Sequence, residues 1–215
     1  AGDSLLINGS VLAFANLFLA VDHRNADRGT GASANLRNAT LAGKRLQLRG
    51  DEDDDLLDAS GHEIEVIAHG HGGNDEIHGG LLADELYGGD GADLIRGGAG
   101  NDLIVAGRGI GDRLYGDDGD DLIYGSADGA DNDPDFDDAV RFGDLIEGGA
   151  GDDTIFALGG ADDIDGGAGN DWIDAGPGND RVQGGAGADI VFGGLGNDRL
   201  RRFTIAGTGD DGAGA

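Results

Sequence analysis

Cysteine and methionine are absent from this 215-residue sequence, proline occurs twice, and 14 basic residues face 43 acidic ones. Without cysteine, disulfides say nothing about the redox compartment, and an extracellular setting stays open. The shortage of lysine and arginine leaves a net charge of −29 and a pI near 4.1. That balance argues against nucleic acid, whose phosphates require basic patches, and against adsorption to anionic lipid. Long apolar runs are missing too. The longest, residues 11–21, is 11 residues long and contains Asn16. It is too short to span a bilayer and lacks the basic leader of a signal peptide, so no membrane insertion is expected. With no methionine even at position 1, the expectation is a processed product or a fragment of a longer protein.

Glycine, at 46 residues, and acid are in excess. Such a net charge ordinarily signals disorder or an acidic tail, but here the acid is periodic. From Gly70 to Arg201 one nine-residue unit recurs: two glycines, a small residue, glycine, a small polar residue, aspartate, any residue, an aliphatic, any residue. It is clean in Gly97-Gly98-Ala99-Gly100-Asn101-Asp102-Leu103-Ile104-Val105 and in Gly166-Gly167-Ala168-Gly169-Asn170-Asp171-Trp172-Ile173-Asp174. A short fixed period predicts a solenoid in place of a globular core.

The first six positions are turn material, since glycine, asparagine and aspartate tolerate left-handed backbone. The last three are strand material. The aliphatic slot holds Ile77, Leu86, Ile95, Ile104, Leu114, Ile123, Ile146, Ile155, Ile164, Ile173, Val182, Val191 and Leu200, none of them polar. Two repeats would then close one coil, and successive coils would stack as parallel strands about 4.8 Å apart. The predicted fold is all-β: a right-handed parallel β-roll or β-helix whose two sheets enclose a thin aliphatic core.

Stacking has an electrostatic consequence. The sixth position carries Asp75, Asp84, Asp93, Asp102, Asp112, Asp121, Asp153, Asp162, Asp171, Asp180, Asp189 and Asp198, so every second one falls on the same edge. Two carboxylates 4 Å apart repel by about 4 kcal/mol at an effective dielectric of 20. Something positive must lie between them. Carboxylates and turn carbonyls form an all-oxygen cage, which suits calcium better than magnesium with its stricter octahedron. An affinity of about 10⁻⁴ to 10⁻³ M would fit a module responding to external calcium.

These nonapeptides resemble the haemolysin-type, or RTX (repeats-in-toxin), calcium-binding β-roll over residues 70–201. The resemblance implies that each ion sits between turns one coil apart, held by sixth-position aspartates and main-chain carbonyls. The implied pairs are Asp75 with Asp93, Asp84 with Asp102, Asp93 with Asp112, Asp102 with Asp121, Asp153 with Asp171, Asp162 with Asp180, Asp171 with Asp189 and Asp180 with Asp198. The implied carbonyls are those of Gly89, Gly91, Gly98, Gly100, Gly149, Gly151, Gly167, Gly169, Gly176, Gly178, Gly185, Gly187, Gly194 and Gly196. Roughly eight or more calcium ions would follow. The family is bacterial, often exported by a type I system, and folds on external calcium. A C-terminal secretion signal is not evident in residues 204–215.

Some places depart from the pattern. Residues 79–84 lack the fourth-position glycine, which puts the Asp84 site in doubt. Ala106 reads as an extra residue before Gly107. The repeat breaks between Gly125 and Glu147, where Asp128, Asp131, Asp133, Asp135, Asp137 and Asp138 read as a solvated acidic insertion. Its likeness to an EF-hand loop fails at Phe136, where glycine is needed, and no glutamate closes it. Asp144 and Ile146 restore the frame. Residues 1–69 form a β-rich segment that caps or continues the solenoid. Within it, residues 11–21 suit a helix, Leu46, Leu48, Ile64 and Val66 alternate like strands, and residues 50–58 form a degenerate repeat with Asp55 and Leu57 in register. Residues 202–215 are a glycine-rich tail.

Catalytic and receptor motifs give way to plainer readings. Gly2-Asp3-Ser4-Leu5 copies a hydrolase signature and Asp75-Glu76-Ile77-His78 its acid–base spacing, but no strand-borne nucleophile turn is present. His62-Glu63 lacks the second histidine of a zinc protease. His69, His71 and His78 lie close in sequence, as turn and strand-edge positions. Arg49-Gly50-Asp51 spells the integrin tripeptide inside the degenerate repeat, and the glycosylation sequons at Asn8 and Asn38 are incidental. The outward aromatics Tyr87, Tyr115, Tyr124, Phe156, Trp172 and Phe192 read as sheet covering. Only five threonines occur, with no ladder for ice. The expected function is a non-catalytic calcium-binding module of a secreted or cell-surface bacterial protein. The alternatives are a self-assembling or adhesive surface-layer, fibre or biofilm protein, and an accessory domain of a secreted protease, lipase or epimerase.

Overall fold

In the computed structural model, residues 4–6, 11–13, 16–20, 33–36, 40–126 and 143–201 are described. The acidic run of the insertion, the asparagines of both sequons and residues 202–215 lie outside them.

The chain winds into coils of parallel strands. The first coil is β1 (Ser4–Leu6), β2 (Val11–Ala13) and β3 (Asn16–Ala20), and the second is β4 (Ser33–Asn35), β5 (Thr40–Ala42) and β6 (Arg45–Arg49). From there each coil has two strands: β7 (Leu56–Asp58) with β8 (Glu65–Gly72), β9 (Glu76–His78) with β10 (Glu85–Asp90), and β11 (Leu94–Ala99) with β12 (Leu103–Arg108). The series continues through β13 (Arg113–Asp118) with β14 (Leu122–Ser126), β15 (Leu145–Ala150) with β16 (Thr154–Phe156), and β17 (Asp163–Ala168) with β18 (Trp172–Asp174). It closes with β19 (Arg181–Gln183), β20 (Ile190–Phe192) and β21 (Arg199–Arg201). The odd-numbered set makes a ten-stranded sheet in which β4 takes the place of β3 and β5, and a nine-stranded sheet faces it. A small third sheet of β2 and β5 gives the first two coils a third side. The described strands of residues 4–49 pair in parallel with one another and with the first strands of the roll, three to a coil where the later coils have two.

Strand alternation puts the aliphatic slot inward. Ile77, Leu86, Ile95, Ile104, Leu114, Ile123, Ile146, Ile155 and Ile173 are wholly buried, Ile164 and Val182 nearly so. Leu46, Leu48, Leu57 and Val66 extend the same core into the N-terminal coils. At the other end Val191 is only partly buried and Leu200 is 52% exposed, because no described coil covers them.

Two expectations are corrected. Residues 11–21 do not form a helix: β2 and β3 lie there, and β3 pairs in parallel with β6, Leu17 opposite Leu46 and Leu19 opposite Leu48. Ladder pairing with the neighbouring coil overrides the local helical spacing. Nor is Ala106 the extra residue. The pairing of Gly89 with Gly107, and of Gly107 with Ser126, puts Ala106 in the first-position slot, fully buried. The added residue falls in the bend at Ile110 and Gly111; Gly111 (φ +83°) has open space around its α-carbon.

Candidate metal centre

The bends bring the sixth-position aspartates into two rows, one along each edge. In the first row each backbone N–H donates to the next coil's Oδ1: Asp55 to Asp75 (2.8 Å), Asp75 to Asp93 (2.8 Å), Asp93 to Asp112 (2.7 Å) and Asp112 to Asp144 (3.0 Å). It runs on from Asp144 to Asp162 (2.8 Å), Asp162 to Asp180 (2.9 Å) and Asp180 to Asp198 (3.2 Å). The second row links Asp84 to Asp102 (2.8 Å), Asp102 to Asp121 (2.8 Å), Asp121 to Asp153 (2.8 Å), Asp153 to Asp171 (2.9 Å) and Asp171 to Asp189 (3.2 Å). All eight expected pairs are neighbours in these rows. The rows also contain Asp55 and Asp144, and they run unbroken past the insertion, where the separation in sequence rises to 32. Periodicity interrupted by the insertion hid those two links; the slot occupied by Asp144 in the restored frame was the available signal.

One hydrogen bond per carboxylate leaves the other oxygen to be accounted for. Oδ2 of Asp75, Asp93, Asp102, Asp112, Asp121, Asp153, Asp162, Asp171 and Asp180 is buried with no hydrogen-bond partner, although these residues are only 1 to 2% exposed. A buried, unpartnered charged oxygen is costly. Burial, first, and then the neighbouring carboxylates raise these acids against the lowering effect of the backbone N–H bonds. Asp75, Asp102 and Asp162 are pushed up to about 8. Asp112, Asp153 and Asp180 rise to about 7, and Asp93, Asp121 and Asp171 to about 6. Asp84 rises to about 7, also through burial. Asp189 and Asp198, at the uncovered end, are half-buried.

The turns supply further oxygens. Position-four glycines stack so closely that a Cβ on Gly109 would strike the Gly91 carbonyl oxygen, one on Gly151 that of Gly119, and one on Gly169 that of Gly151. The carbonyls thus point along the stack, past glycines that leave the space open. Position-two carbonyls are partly engaged: Gly167 accepts from Ala186 N (2.7 Å) and Gly176 from Leu195 N (3.0 Å). Of the remaining glycines expected to contribute, Gly89, Gly98, Gly100, Gly149, Gly185, Gly187, Gly194 and Gly196 all have left-handed φ, and Gly178 would strike Gly160 O with a Cβ. Among the described residues no three acidic or histidine side chains converge on one point. A cation between coils would take its donors from carboxylates one coil apart and complete its shell with main-chain oxygens. Orphaned carboxylate oxygens and a Cβ-free cradle fit a hard, oxygen-seeking cation such as calcium.

The three histidines do not converge on one point, although the rings of His69 and His71 stack at 6.0 Å. His69 and His71 lie on β8 in one sheet and His78 on β9 in the other. His69 stacks on Tyr87 (4.6 Å), His71 meets the Arg49 guanidinium (3.0 Å), and His78 pairs with Glu76 (2.8 Å). Arg49 and Gly50 are built into a coil, with Gly50 N donating to His69 O (2.8 Å). Tyr124 stacks on Phe156 (5.1 Å), which meets Trp172 (4.8 Å), and Trp172 in turn meets Phe192 (5.6 Å), along one outer face. Tyr115 lies on the opposite sheet beneath Arg96 (4.0 Å).

A parallel β-solenoid whose bends stack buried carboxylates and open carbonyls belongs to the class of cation-binding β-rolls. The chain is a member of the RTX calcium-binding nonapeptide repeat family, whose four-copy model matches residues 67–86, 78–111, 111–130, 139–173 and 165–200. No curated protein and no solved structure matches it.

Proposed function

We propose that this chain is a non-catalytic calcium-binding module of a secreted or cell-surface bacterial protein, unfolded before export and made rigid by external calcium. The observation that carries the reading is the set of nine buried Oδ2 atoms without partners. Each represents a charge that a low-calcium compartment leaves uncompensated, so the closed roll is disfavoured there. Calcium bound between the bends supplies the cancelling charge. The aspartates hold it in place, and position-four carbonyls, which lie along the stack, would complete its shell. Binding to the folded form alone then shifts the folding equilibrium by mass action. Circular dichroism in EDTA at pH 8, where these acids are ionised, is expected to show little β-structure, rising to a β spectrum on millimolar calcium. An unchanged spectrum would end the proposal.

A second reading, self-association, draws on the uncovered end of the roll. Ile190, Phe192, Leu195 and Leu200 are 50 to 74% exposed there, beside the edges of β20 and β21 that no described strand pairs. Edges of this kind recruit further strands. Sedimentation of the calcium-loaded chain is expected to show species heavier than one chain, and a persistent monomer would count against assembly.

A further inference from the structure

Position six holds two kinds of carboxylate. Nine have the unpartnered Oδ2 described above. In three others that oxygen is filled from within the turn: by Asp51 N on Asp55 (2.7 Å), Gly80 N on Asp84 (2.6 Å) and Ser126 N on Asp144 (2.7 Å). In each case the donor is the residue at position two.

The backbone of that residue separates the two kinds. In all nine unpartnered turns position two is left-handed. It is glycine in six, such as Gly89 (φ 127°) and Gly149 (φ 119°), and His71 (φ 84°), Asp117 (φ 72°) or Leu158 (φ 73°) in the rest. Asp51, Gly80 and Ser126 have no such φ. The torsion φ sets how a residue's own N–H points relative to the chain that follows, and the carboxylate is four residues on in the two uninterrupted cases. Left-handed φ turns the N–H away from Oδ2, and ordinary φ lets it close on it. Position four differs in the same way: the nine open turns carry glycine there, whereas two of the closed ones carry Asp53 and Leu82. Any side chain in the open form would strike the neighbouring coil, as the Gly109 and Gly151 contacts show. The third closed turn is the one the insertion interrupts.

We infer that Asp55, Asp84 and Asp144 take no calcium, because a backbone N–H occupies in them the oxygen that stays open to an ion elsewhere. This rests on the calcium reading above. Gly185 (φ 100°) and Gly194 (φ 82°) place Asp189 and Asp198 with the open turns. Ions then sit only between consecutive open turns. The first row is split by Asp144 into Asp75–Asp93–Asp112 and Asp162–Asp180–Asp198, and the second runs Asp102–Asp121–Asp153–Asp171–Asp189. Each row offers four gaps, about eight ions in all. The Asp84–Asp102 gap, which the missing position-four glycine already puts in doubt, stays closed. The Asp121–Asp153 gap, which the pattern alone would miss, is open.

Equilibrium dialysis of the full chain against saturating calcium, with circular dichroism of the same samples, tests this. The parent chain and Asp84→Asn are expected to bind equal numbers of ions, and Asp121→Asn two fewer. A folded Asp84→Asn that binds fewer ions than the parent overturns the inference while leaving the calcium reading standing. A parent chain that binds none overturns both. Should Asp84→Asn fail to fold, Leu82→Gly decides: glycine restored at position four is expected to add one ion, and an unchanged count overturns the switch.

Discussion

Left-handed backbone at position two is cheap for glycine and costs an ordinary side chain about 1–2 kcal/mol. His71, Asp117 and Leu158 bear that cost. Asp117 recovers part of it through Arg96, whose Nη1 lies 3.4 Å from Oδ1 while its guanidinium covers Tyr115. Leu158 is 38% exposed, so little burial is lost on truncation. Leu158→Gly is therefore expected to stabilise the calcium-loaded chain by about 0.5–1 kcal/mol, after the added freedom of the unfolded chain is discounted. Thermal unfolding measures it, and a lower midpoint would refute the strain argument. The sixth-position aspartates were legible as residues, since their period is independent of context. Which of their oxygens would be satisfied was not, because that depends on φ at position two rather than on the acid, and there glycine, histidine, aspartate and leucine all serve.

At the scale of elements, the strands of the roll were legible because each contains a three-residue slot with an aliphatic centre, although several, such as β11 and β15, run on into the positions read as turn, and a strand buried on one face must alternate. Register was less so. Ala106 looks like an insertion when glycines are counted, yet the ladder puts it level with Gly88 and moves the added residue to the bend. Placed in the bend, the extra residue leaves the ladder unbroken, whereas within a strand it would disrupt the pairing as a bulge. The N-terminal strands were harder still: residues 11–21 have helical spacing, but β2 and β3 are held by β5 and β6. Their partners are residues 40–42 and 45–49, which no local window contains. The spacings between the strands from β1 to β7 follow no fixed period, so neither the number nor the order of these strands could be counted in advance.

The whole molecule couples charge to shape. Without calcium, nine unpartnered acids and Asp84 carry values of about 6 to 8 in the roll against an unfolded value near 3.8. The folded form thus holds more protons between those limits. Its stability in EDTA is fully present below about pH 4 and is lost as pH rises through 6 to 8. Calcium requires the ionised carboxylate, so the calcium-loaded roll gains stability over the same window. The β-signal in circular dichroism, followed from pH 4 to 8, is expected to fall with chelator and to hold or rise with calcium; a fall of the same size in both would contradict the charge-cancelling role of the bends.

By itself the sequence determined the period, the parallel stack, the aliphatic slots and the acid on each edge, because all four are properties of a nine-residue unit repeated in register. Only the tertiary structure decided that the rows pass the insertion without a break, that the first coils have three sides, and that three of the carboxylates are closed by their own turns. Those are facts about which coil lies against which and how each bend is twisted, and contacts between coils belong to no single repeat.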